Sequence, residues 1–279
     1  MWTAITPAGQ DALAAVASDP LRTLLAFDFD GTLAELQLDP EDSHLYDPTA
    51  DAIDRLAPHV GRIAVITGRP ADVVVRLGRL SGRPGFADAI VFGQYGVERW
   101  DAATGTLDSP PNPESVAAAT ADLAALLADE AAAGRDTRGI NLEDKGRAVA
   151  VHVRQHADPG AAHARLESPV ADIAGRHGLV LEPGRMVIEL RSSHVTKGDA
   201  LDALIAADDP RVVLVFGDDL GDIPAFEAAH AARNRGLTTV NVLAASAETK
   251  ALTPLADIEC DGPRGIAAFL NDLARKLDA

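Results

Sequence analysis

The sequence predicts an α/β fold: a doubly wound, Rossmann-like parallel-sheet core with an inserted α+β cap domain. Short apolar runs that end in glycine-containing turns are typical of buried parallel strands, and they occur at Leu21 to Phe29, Arg62 to Thr67, Ala89 to Gly93 and Val212 to Gly217. Segments with helical spacing alternate with these runs, at Pro48 to Pro58, Ala71 to Leu80, Lys197 to Ala206, Asp222 to Ala231 and Pro263 to Leu277. Ligands of such sheets bind at the carboxyl ends of the strands. We therefore expect functional residues just after Phe27, Ile66 and Phe216.

The segment from Pro110 to Leu190 has a different pattern, which supplies the inserted domain. It contains helical patterns at Glu114 to Ala133 and Pro159 to His177, and strand patterns at Arg138 to Glu143, Arg147 to Arg154, Leu179 to Glu182 and Arg185 to Leu190. The strands are joined in pairs by Asp144-Lys145-Gly146 and Pro183-Gly184, as in antiparallel hairpins. We therefore divide the chain into a core domain, residues 1–109 and 191–279, and an inserted cap domain, residues 110–190.

Composition and charge exclude several classes of protein. The formal net charge of -17 over 279 residues disfavours binding to nucleic acid and to anionic membrane surfaces. The apolar runs are far shorter than the roughly 20 residues of a membrane helix, and the stretch through Pro20 lacks the positive start of a signal peptide. The single cysteine, Cys260, excludes an intrachain disulfide. We expect a cytoplasmic monomer that acts on a small molecule, with no nucleic-acid or membrane partner.

Lysine is scarce in this chain, so each lysine is informative. Of the 25 basic residues, four are lysines: Lys145, Lys197, Lys250 and Lys276. Lys197 begins a predicted helix, where a positive charge gains nothing from the helix dipole. Its placement favours a phosphate or carboxylate partner.

Two acids, Asp28 and Asp30, follow the first predicted strand in the run Asp28-Phe29-Asp30-Gly31-Thr32. Residues two apart in an extended backbone point the same way, so both carboxylates would face one site. One acid can attack phosphorus, while the other protonates the leaving oxygen and later activates water. An Asp-Gly pair after a strand can also simply form a turn. The whole pentapeptide after an apolar strand favours the catalytic interpretation.

Three more acids, Asp218, Asp219 and Asp222, follow the predicted strand that ends at Gly217. Carboxylate oxygens suit Mg²⁺, which prefers octahedral oxygen ligands. Acids at the start of a helix can also serve only as caps. The metal interpretation is favoured because four or five acids that meet at one edge need a cation.

Thr67 and Arg69, in Ile66-Thr67-Gly68-Arg69-Pro70, follow a third predicted strand. A hydroxyl or a guanidinium at a helix start can bind an anionic group. Thr67 can equally be a helix N-cap. The residues alone leave both interpretations open.

Taken in chain order, these motifs resemble the four motifs of the haloacid dehalogenase superfamily, specifically its phosphatase branch. The resemblance implies that Asp28 is the nucleophile and Asp30 the general acid and base. It also implies that Thr67 donates a hydrogen bond to the phosphoryl group and that Lys197 orients both this group and Asp28.

The same resemblance implies a Mg²⁺ ion as cofactor. Its ligands would be Asp28, the backbone carbonyl of Asp30 and Asp218, with Asp222 acting through water. The inserted segment is similar to the larger cap type of sugar phosphatases.

More narrowly, further motifs resemble those of trehalose-6-phosphate phosphatases. They are Ile66-Thr-Gly-Arg69, Gly93-Gln-Tyr-Gly-Val-Glu98, Glu143-Asp-Lys145, His152-Val-Arg154 and Glu189-Leu-Arg191. In that family cap acids and bases grip the sugar hydroxyls. The resemblance therefore implies a substrate-binding set of Glu143, Lys145, His152, Arg154 and Glu189 in the cap, together with Arg69 and Glu98 in the core. The chain departs from the commoner pattern at Gly221, Ile223 and Ser192, which touches loop detail and removes no expected ligand.

Related activities stay open at this point. Phosphatases of sucrose 6-phosphate or mannosyl-3-phosphoglycerate and phosphomannomutases share the core motifs. A sugar-phosphate sensor without activity is disfavoured because Asp28, Asp30 and Lys197 are all present. Charged residues beside a hairpin turn, such as Glu143 and Lys145, are also often just solvated.

Overall fold

A computed structural model describes residues 1–37, 39–184, 186–245 and 252–278. The chain forms two compact units, which we call the core unit (Met1–Ser109 with Val195–Ala279) and the inserted unit (Pro110–His194). The inserted unit ends at His194, whereas the sequence suggested a boundary at residue 190. The last strand of the inserted unit continues through Arg191, one residue past the expected boundary.

Among its described residues, the first part of the core unit contains six strands and three α-helices. They are β1 (Trp2–Ala4), α1 (Pro7–Ser18), β2 (Thr23–Phe27), α2 (Asp47–Leu56), β3 (Arg62–Ile66), α3 (Ala71–Leu77), β4 (Ile90–Gly93), β5 (Glu98–Asp101) and β6 (Thr106–Asp108).

The inserted unit follows in the chain, and the rest of the core unit comes after it. The inserted unit consists of α4 (Glu114–Ala132), β7 (Asn141–Asp144), β8 (Ala148–His152), α5 (Pro159–His177), β9 (Val180–Gly184) and β10 (Val187–Arg191). The core unit resumes with α6 (Lys197–Asp208), β11 (Val212–Gly217), α7 (Ile223–Asn234), β12 (Thr238–Ala245), β13 (Ile258–Asp261) and α8 (Gly262–Leu277).

The core unit is built on a nine-stranded sheet with the order β1-β13-β12-β11-β2-β3-β4-β5-β6. The strands from β13 to β4 in this order are parallel, and β1, β5 and β6 pair antiparallel at the two sides. Strand β2 lies between β11 and β3, so the carboxyl ends of these three strands lie at one edge of the sheet.

Helices cover both faces of this sheet. Alternate residues of a strand point to opposite faces, and Leu25 and Phe27 of β2 pack with residues of α1, α2, α3 and α8. Leu24 and Ala26 of the same strand pack with residues of α6 and α7. The doubly wound α/β fold expected from the sequence is therefore confirmed.

Some elements of the core unit were absent from the sequence-based description, namely α1, β1, β5, β6, β12 and β13. Strand β12 shows why, because it begins with two threonines and carries Asn241 at its centre, which interrupts the apolar pattern. Asn241 is fully buried, and its amide donates to the carbonyls of Phe226 at 3.1 Å and Leu255 at 3.0 Å. The hydrogen bonds that allow this polar residue in the core are not visible in local sequence. A smaller error concerns α3, which was expected to reach Leu80 and ends at Leu77.

The inserted unit has a four-stranded antiparallel sheet with the order β7-β8-β10-β9. Val149, Val151 and Leu190 point to one face and pack with residues of α4 and α5. The strand register places Glu143, Ala150, Glu189 and Glu182 in one row across the other face. We call this second face, with Lys145, His152 and Arg191, the polar face. No helix among the described residues is long and apolar enough to span a membrane.

Candidate active site

The candidate site lies where β2, β3 and β11 end. Asp28, Thr67 and Asp218 are the first residues after these strands. The backbone N–H of Asp28 continues the ladder by donating to the carbonyl of Phe216 at 2.9 Å, and that of Thr67 donates to the carbonyl of Phe92 at 2.9 Å. Register between parallel strands therefore brings these side chains to one edge of the sheet.

Lys197 joins two of the acids at this edge. Its ammonium group donates to Asp28 Oδ1 at 2.6 Å and to Asp222 Oδ1 at 2.8 Å, and all three side chains are buried. Lys197 is the first residue of α6. The N-terminus of this helix is stabilised by a capping box formed by Thr196 and Asp199. The carboxylate partner expected for this lysine is therefore present twice.

Asp222 also organises the backbone after β11. Its Oδ2 accepts hydrogen bonds from the N–H groups of Asp218 at 2.9 Å and Asp219 at 3.1 Å. A Cβ added at Gly217 would lie 2.4 Å from the carboxyl carbon of Asp222, so glycine is required for this approach.

Gly31 allows a second close approach. Its φ is +75°, and a Cβ added there would lie 2.2 Å from Oδ2 of Asp218. The backbone after Asp28 and Asp30 can therefore pack against the Asp218 carboxylate only with glycine at this position.

The acids at this edge form a donor set for a metal ion. Asp28, Asp218 and Asp222 each place a carboxylate oxygen within 4.8 Å of the others. Burial raises the pKa of Asp28 well above its usual value, Lys197 opposes this, and Asp222 adds to it. Burial and the Asp28 charge likewise raise the pKa of Asp218. These directions mark carboxylates with too little positive charge nearby, and the oxygen donors fit a hard divalent cation such as Mg²⁺.

Lys197 stays charged in this cluster. Burial lowers its pKa, but Asp222 and Asp28 outweigh burial, so the pKa lies well above its usual value. The cluster thus contains one ammonium group, that of Lys197, and the three buried carboxylates of Asp28, Asp218 and Asp222.

Asp30 is held by Arg69. Nε of Arg69 donates to Oδ2 of Asp30 at 2.5 Å, and Nη2 donates to Oδ1 at 2.7 Å. Nη1 of Arg69 donates to the carbonyl of Pro40 at 3.0 Å. Arg69, which the family resemblance assigned to the substrate, therefore grips the second aspartate of the site.

Thr67 is buried beside this pair, and its hydroxyl accepts a hydrogen bond from the N–H of Arg69 at 3.2 Å. The N-cap of α3 is Pro70, which has no side-chain hydrogen bond. The alternative of Thr67 as the helix N-cap is therefore wrong.

Glu98 closes the start of α3 instead. Its Oε2 accepts from the N–H of Ala71 at 2.7 Å, and its Oε1 accepts from the hydroxyl of Ser109 at 3.0 Å. Glu98 is buried, and both oxygens of its carboxylate have partners in the protein. The structure thus places this expected sugar ligand as a helix cap.

Gln94 and Tyr95 support the Thr67–Arg69 loop, and they belong to a motif of the family resemblance in which they had no assigned role. Their φ angles are +49° and +62°, a region that non-glycine residues seldom adopt. The N–H of Gln94 donates to the carbonyl of Arg69 at 2.8 Å, and that of Tyr95 donates to the carbonyl of Thr67 at 2.9 Å. A Cβ added at Gly68 would lie 2.9 Å from the Tyr95 ring. The signal in the sequence was the motif Gly93-Gln-Tyr-Gly-Val-Glu98, which follows β4 directly.

The polar face of the inserted unit carries paired charges. Glu143 Oε2 lies 2.7 Å from His152 Nε2, and Lys145 Nζ donates to Glu189 Oε2 at 2.5 Å. Oε1 of Glu189 is buried and has no hydrogen-bond partner among the described residues.

Other residues of the inserted unit differ from the expected set. Arg154 lies beyond the end of β8 and is exposed, so the structure does not bring it into these pairs. Arg191 donates to Glu182 Oε2 at 2.6 Å. Glu182 was missed because nothing in its local pattern distinguishes it from other surface acids.

Comparison with known proteins identifies the family. The family model described as Trehalose-phosphatase matches residues 26–258, which is most of the chain. The chain belongs to the trehalose-phosphatase family. Membership makes it a phosphoric monoester hydrolase with a haloacid dehalogenase-like fold, as the motifs predicted.

Individual relatives agree with this family. A protein described as a probable trehalose-phosphate phosphatase from Sinorhizobium fredii is 30% identical over 80% of this chain and 79% of its own length. The trehalose-phosphate phosphatase of Mycobacterium tuberculosis is 30% identical over 90% of this chain, which spans 61% of that protein. The C-terminal domain of the trehalose-6-phosphate phosphatase of C. albicans has the same fold, with a TM-score of 0.77, 22% identity and coverage of 98% of this chain and 99% of that one.

Proposed function

We propose that this phosphatase hydrolyses trehalose 6-phosphate to trehalose and phosphate, with Mg²⁺ as cofactor and Asp28 as nucleophile. The observation that carries the proposal is the buried cluster in which Lys197 bonds both Asp28 and Asp222. The substrate follows from the family to which the chain belongs. The inserted unit would act as the cap that selects the sugar.

Mg²⁺ would be held by Asp28, Asp218 and the backbone carbonyl of Asp30, with Asp222 acting through water. When bound, it would neutralise the crowded negative charge and polarise the phosphoryl group. The buried oxygen donors and the raised pKa values of Asp28 and Asp218 support this assignment.

The reaction proceeds in two displacements. An oxygen of Asp28 forms a bond to phosphorus while the bond between phosphorus and the sugar oxygen breaks, and the Asp30 carboxyl gives its proton to that oxygen. The ionised Asp30 then takes a proton from water. The water oxygen bonds to phosphorus, the aspartyl-phosphate bond breaks, and Asp28 is restored as a carboxylate.

Lys197 and Thr67 position the reacting groups. Lys197 donates a hydrogen bond to Oδ1 of Asp28, which restrains the position of that oxygen before attack. Its positive charge also favours the additional negative charge of the phosphoryl group. The Thr67 hydroxyl would donate a hydrogen bond to a phosphoryl oxygen.

The polar face of the inserted unit is the proposed binding surface for the sugar. Its pairs of Glu143 with His152 and of Lys145 with Glu189 offer donors and acceptors to hydroxyl groups. The buried Oε1 of Glu189 needs a donor, which a sugar hydroxyl would supply. Arg154 is exposed and lies outside these pairs, and we assign it as a further hydrogen-bond donor to the sugar.

A phosphate-release assay tests the proposal. It would compare trehalose 6-phosphate with sucrose 6-phosphate, mannosyl-3-phosphoglycerate and glucose 6-phosphate, with Mg²⁺ and after chelation. We expect the highest kcat/KM on trehalose 6-phosphate. After chelation we expect no phosphate release from any of the four esters. Asp28→Asn is the matched inactive control, since an amide cannot attack phosphorus. Equal rates on all four esters would contradict the assignment of trehalose 6-phosphate as the substrate. Full activity of Asp28→Asn would contradict the assignment of Asp28 as the nucleophile.

A further inference from the structure

We infer that Arg69 is a positioning residue that acts through Asp30, rather than a ligand of the substrate. The inference rests on the proposed function, because it gives Arg69 a part in the proton transfer that Asp30 performs. It replaces the substrate-binding role that the motif around Arg69 suggested.

The geometry of the pair supports this role. Two N–H groups of one guanidinium bond the two oxygens of one carboxylate, at 2.5 and 2.7 Å. Such a planar fork fixes both the position and the plane of a carboxylate, which a single point charge such as lysine cannot do. Each oxygen keeps a second lone-pair direction, so the carboxyl can still exchange a proton with a ligand.

Arg69 is itself held at both ends. Its Nη1 donates to the carbonyl of Pro40 at 3.0 Å, and its guanidinium carbon lies 6.0 Å from the centre of the Phe29 ring. At the backbone, its N–H donates to the Thr67 hydroxyl and its carbonyl accepts from Gln94. A side chain held in this way places its partner rather than following it.

The loop that receives these bonds is itself built for rigidity. Gln94 and Tyr95 both adopt positive φ, and their N–H groups hold the carbonyls of Arg69 and Thr67. Backbone strain of this kind persists only where the surroundings impose it. Here it fixes the base from which Arg69 reaches Asp30.

The consequence for catalysis depends on the leaving group. A sugar alkoxide leaves poorly unless it is protonated, so displacement of Asp30 slows cleavage of an alkyl phosphate. A p-nitrophenolate leaves without a proton, so the same displacement has little effect on its kcat/KM. Misplacement of a catalytic group by about 1 Å costs roughly 100-fold in rate.

The experiment compares Arg69→Ala and Arg69→Lys with wild type, using kcat/KM for trehalose 6-phosphate and for p-nitrophenyl phosphate. We expect a loss of about 100-fold on the sugar ester and a loss of less than about 5-fold on the aryl ester. The lysine variant should recover little, since it lacks the fork. Arg76→Ala is the matched control, because Arg76 makes a similar pair with Glu41 at the surface, and both activities should persist.

A double-mutant cycle with Asp30→Asn separates the explanations. If Arg69 acts through Asp30, Arg69→Ala should add little to the loss already caused by Asp30→Asn. Retained aryl phosphatase activity and an unchanged thermal midpoint show that the variants are folded.

Four outcomes overturn the inference. Equal losses on both esters, or a rise in KM at unchanged kcat, would make Arg69 a phosphate ligand and leave the proposed function intact. Full additivity in the cycle would separate Arg69 from Asp30. If Asp30→Asn left alkyl ester cleavage unchanged, the proton-transfer role would fail together with the inference. If wild type cleaved other alkyl phosphates but not trehalose 6-phosphate, only the proposed substrate would fail, and the comparison would be made with the alkyl ester that is cleaved.

Discussion

The carboxylate of Glu98 accepts a hydrogen bond at 2.7 Å from the N–H of Ala71, the first residue of α3. This bond joins β5 to the helix that follows the Thr67–Arg69 loop. The same carboxylate accepts from Ser109. Glu98 therefore satisfies a helix N-terminus that Pro70 leaves without a side-chain cap.

We expect Glu98→Ala to lower the free energy of unfolding by about 1–3 kcal/mol, because a buried N–H loses its charged acceptor. Urea unfolding would measure this change. The ratio of kcat/KM for trehalose 6-phosphate to that for p-nitrophenyl phosphate should stay constant. A loss of kcat/KM on the sugar ester alone, with an unchanged free energy of unfolding, would instead indicate that Glu98 binds substrate.

Lys197→Met should abolish detectable turnover and destabilise the fold. The change leaves Asp28 and Asp222 buried without their shared cation, and breaking a buried ion pair costs about 3–5 kcal/mol. Phosphate release and thermal unfolding would measure the two effects. Lys276→Met is the control, since Lys276 is exposed at the end of α8 and should change neither.

Mg²⁺ should raise the thermal midpoint of the protein before any substrate is added. A ligand that binds only the folded state stabilises it, and the buried carboxylates of Asp28 and Asp218 have too little positive charge nearby. Asp218→Asn should remove most of the shift, whereas Asp122→Asn in the inserted unit should keep it. An undiminished shift in Asp218→Asn would contradict the proposed metal site.

Glu143→Ala should reduce kcat/KM for trehalose 6-phosphate by about one to two powers of ten, since loss of a charged hydrogen-bond partner costs ~1.5–3 kcal/mol. The same variant should cleave p-nitrophenyl phosphate almost as wild type does. Arg138→Ala is the control, because Arg138 makes an exposed pair with Asp136 in the same unit. Equal losses on the two esters would remove Glu143 from sugar recognition.

Cys260 should resist alkylation in the folded protein. Burial raises the pKa of its thiol to about 12, so at pH 8 only about one thiol in ten thousand is ionised. A raised thiol pKa reduces the reactive thiolate, and reactivity should increase as the pH rises. Mass spectrometry after iodoacetamide treatment should show modification only once urea unfolds the chain. Rapid labelling of the native protein at pH 8 would show that β13 opens.

The sequence was informative where a residue's role depends on its immediate neighbours. The spacing after β2 and β11 was enough to indicate Asp28, Asp218 and Asp222 as one cluster, and the scarcity of lysine singled out Lys197. These residues follow directly from strands whose apolar patterns are clear.

Local pattern failed where the partner is distant in the chain. Glu98 and Ala71 are 27 positions apart, and only the antiparallel pairing of β5 with β4 brings them together. The Arg69–Asp30 pair also joins residues that are distant in the chain. The sequence does not distinguish an Arg69 side chain that binds substrate from one that binds another residue of the protein. Strand β12 was missed for the same reason, because Asn241 interrupts its apolar pattern and one of the hydrogen-bond partners that permit burial of Asn241 is Phe226, 15 positions away.

The sheet order has a consequence for biosynthesis. Strand β2 pairs with β3, which precedes the inserted unit, and with β11, which follows it. During synthesis on the ribosome, the edge of β2 that pairs with β11 therefore stays unpaired until Val212 to Gly217 have been translated. Unpaired edges flanked by apolar side chains are prone to association between chains. A nascent chain halted before Val212 would thus be a client for chaperones, even though every residue of the inserted unit had already been made.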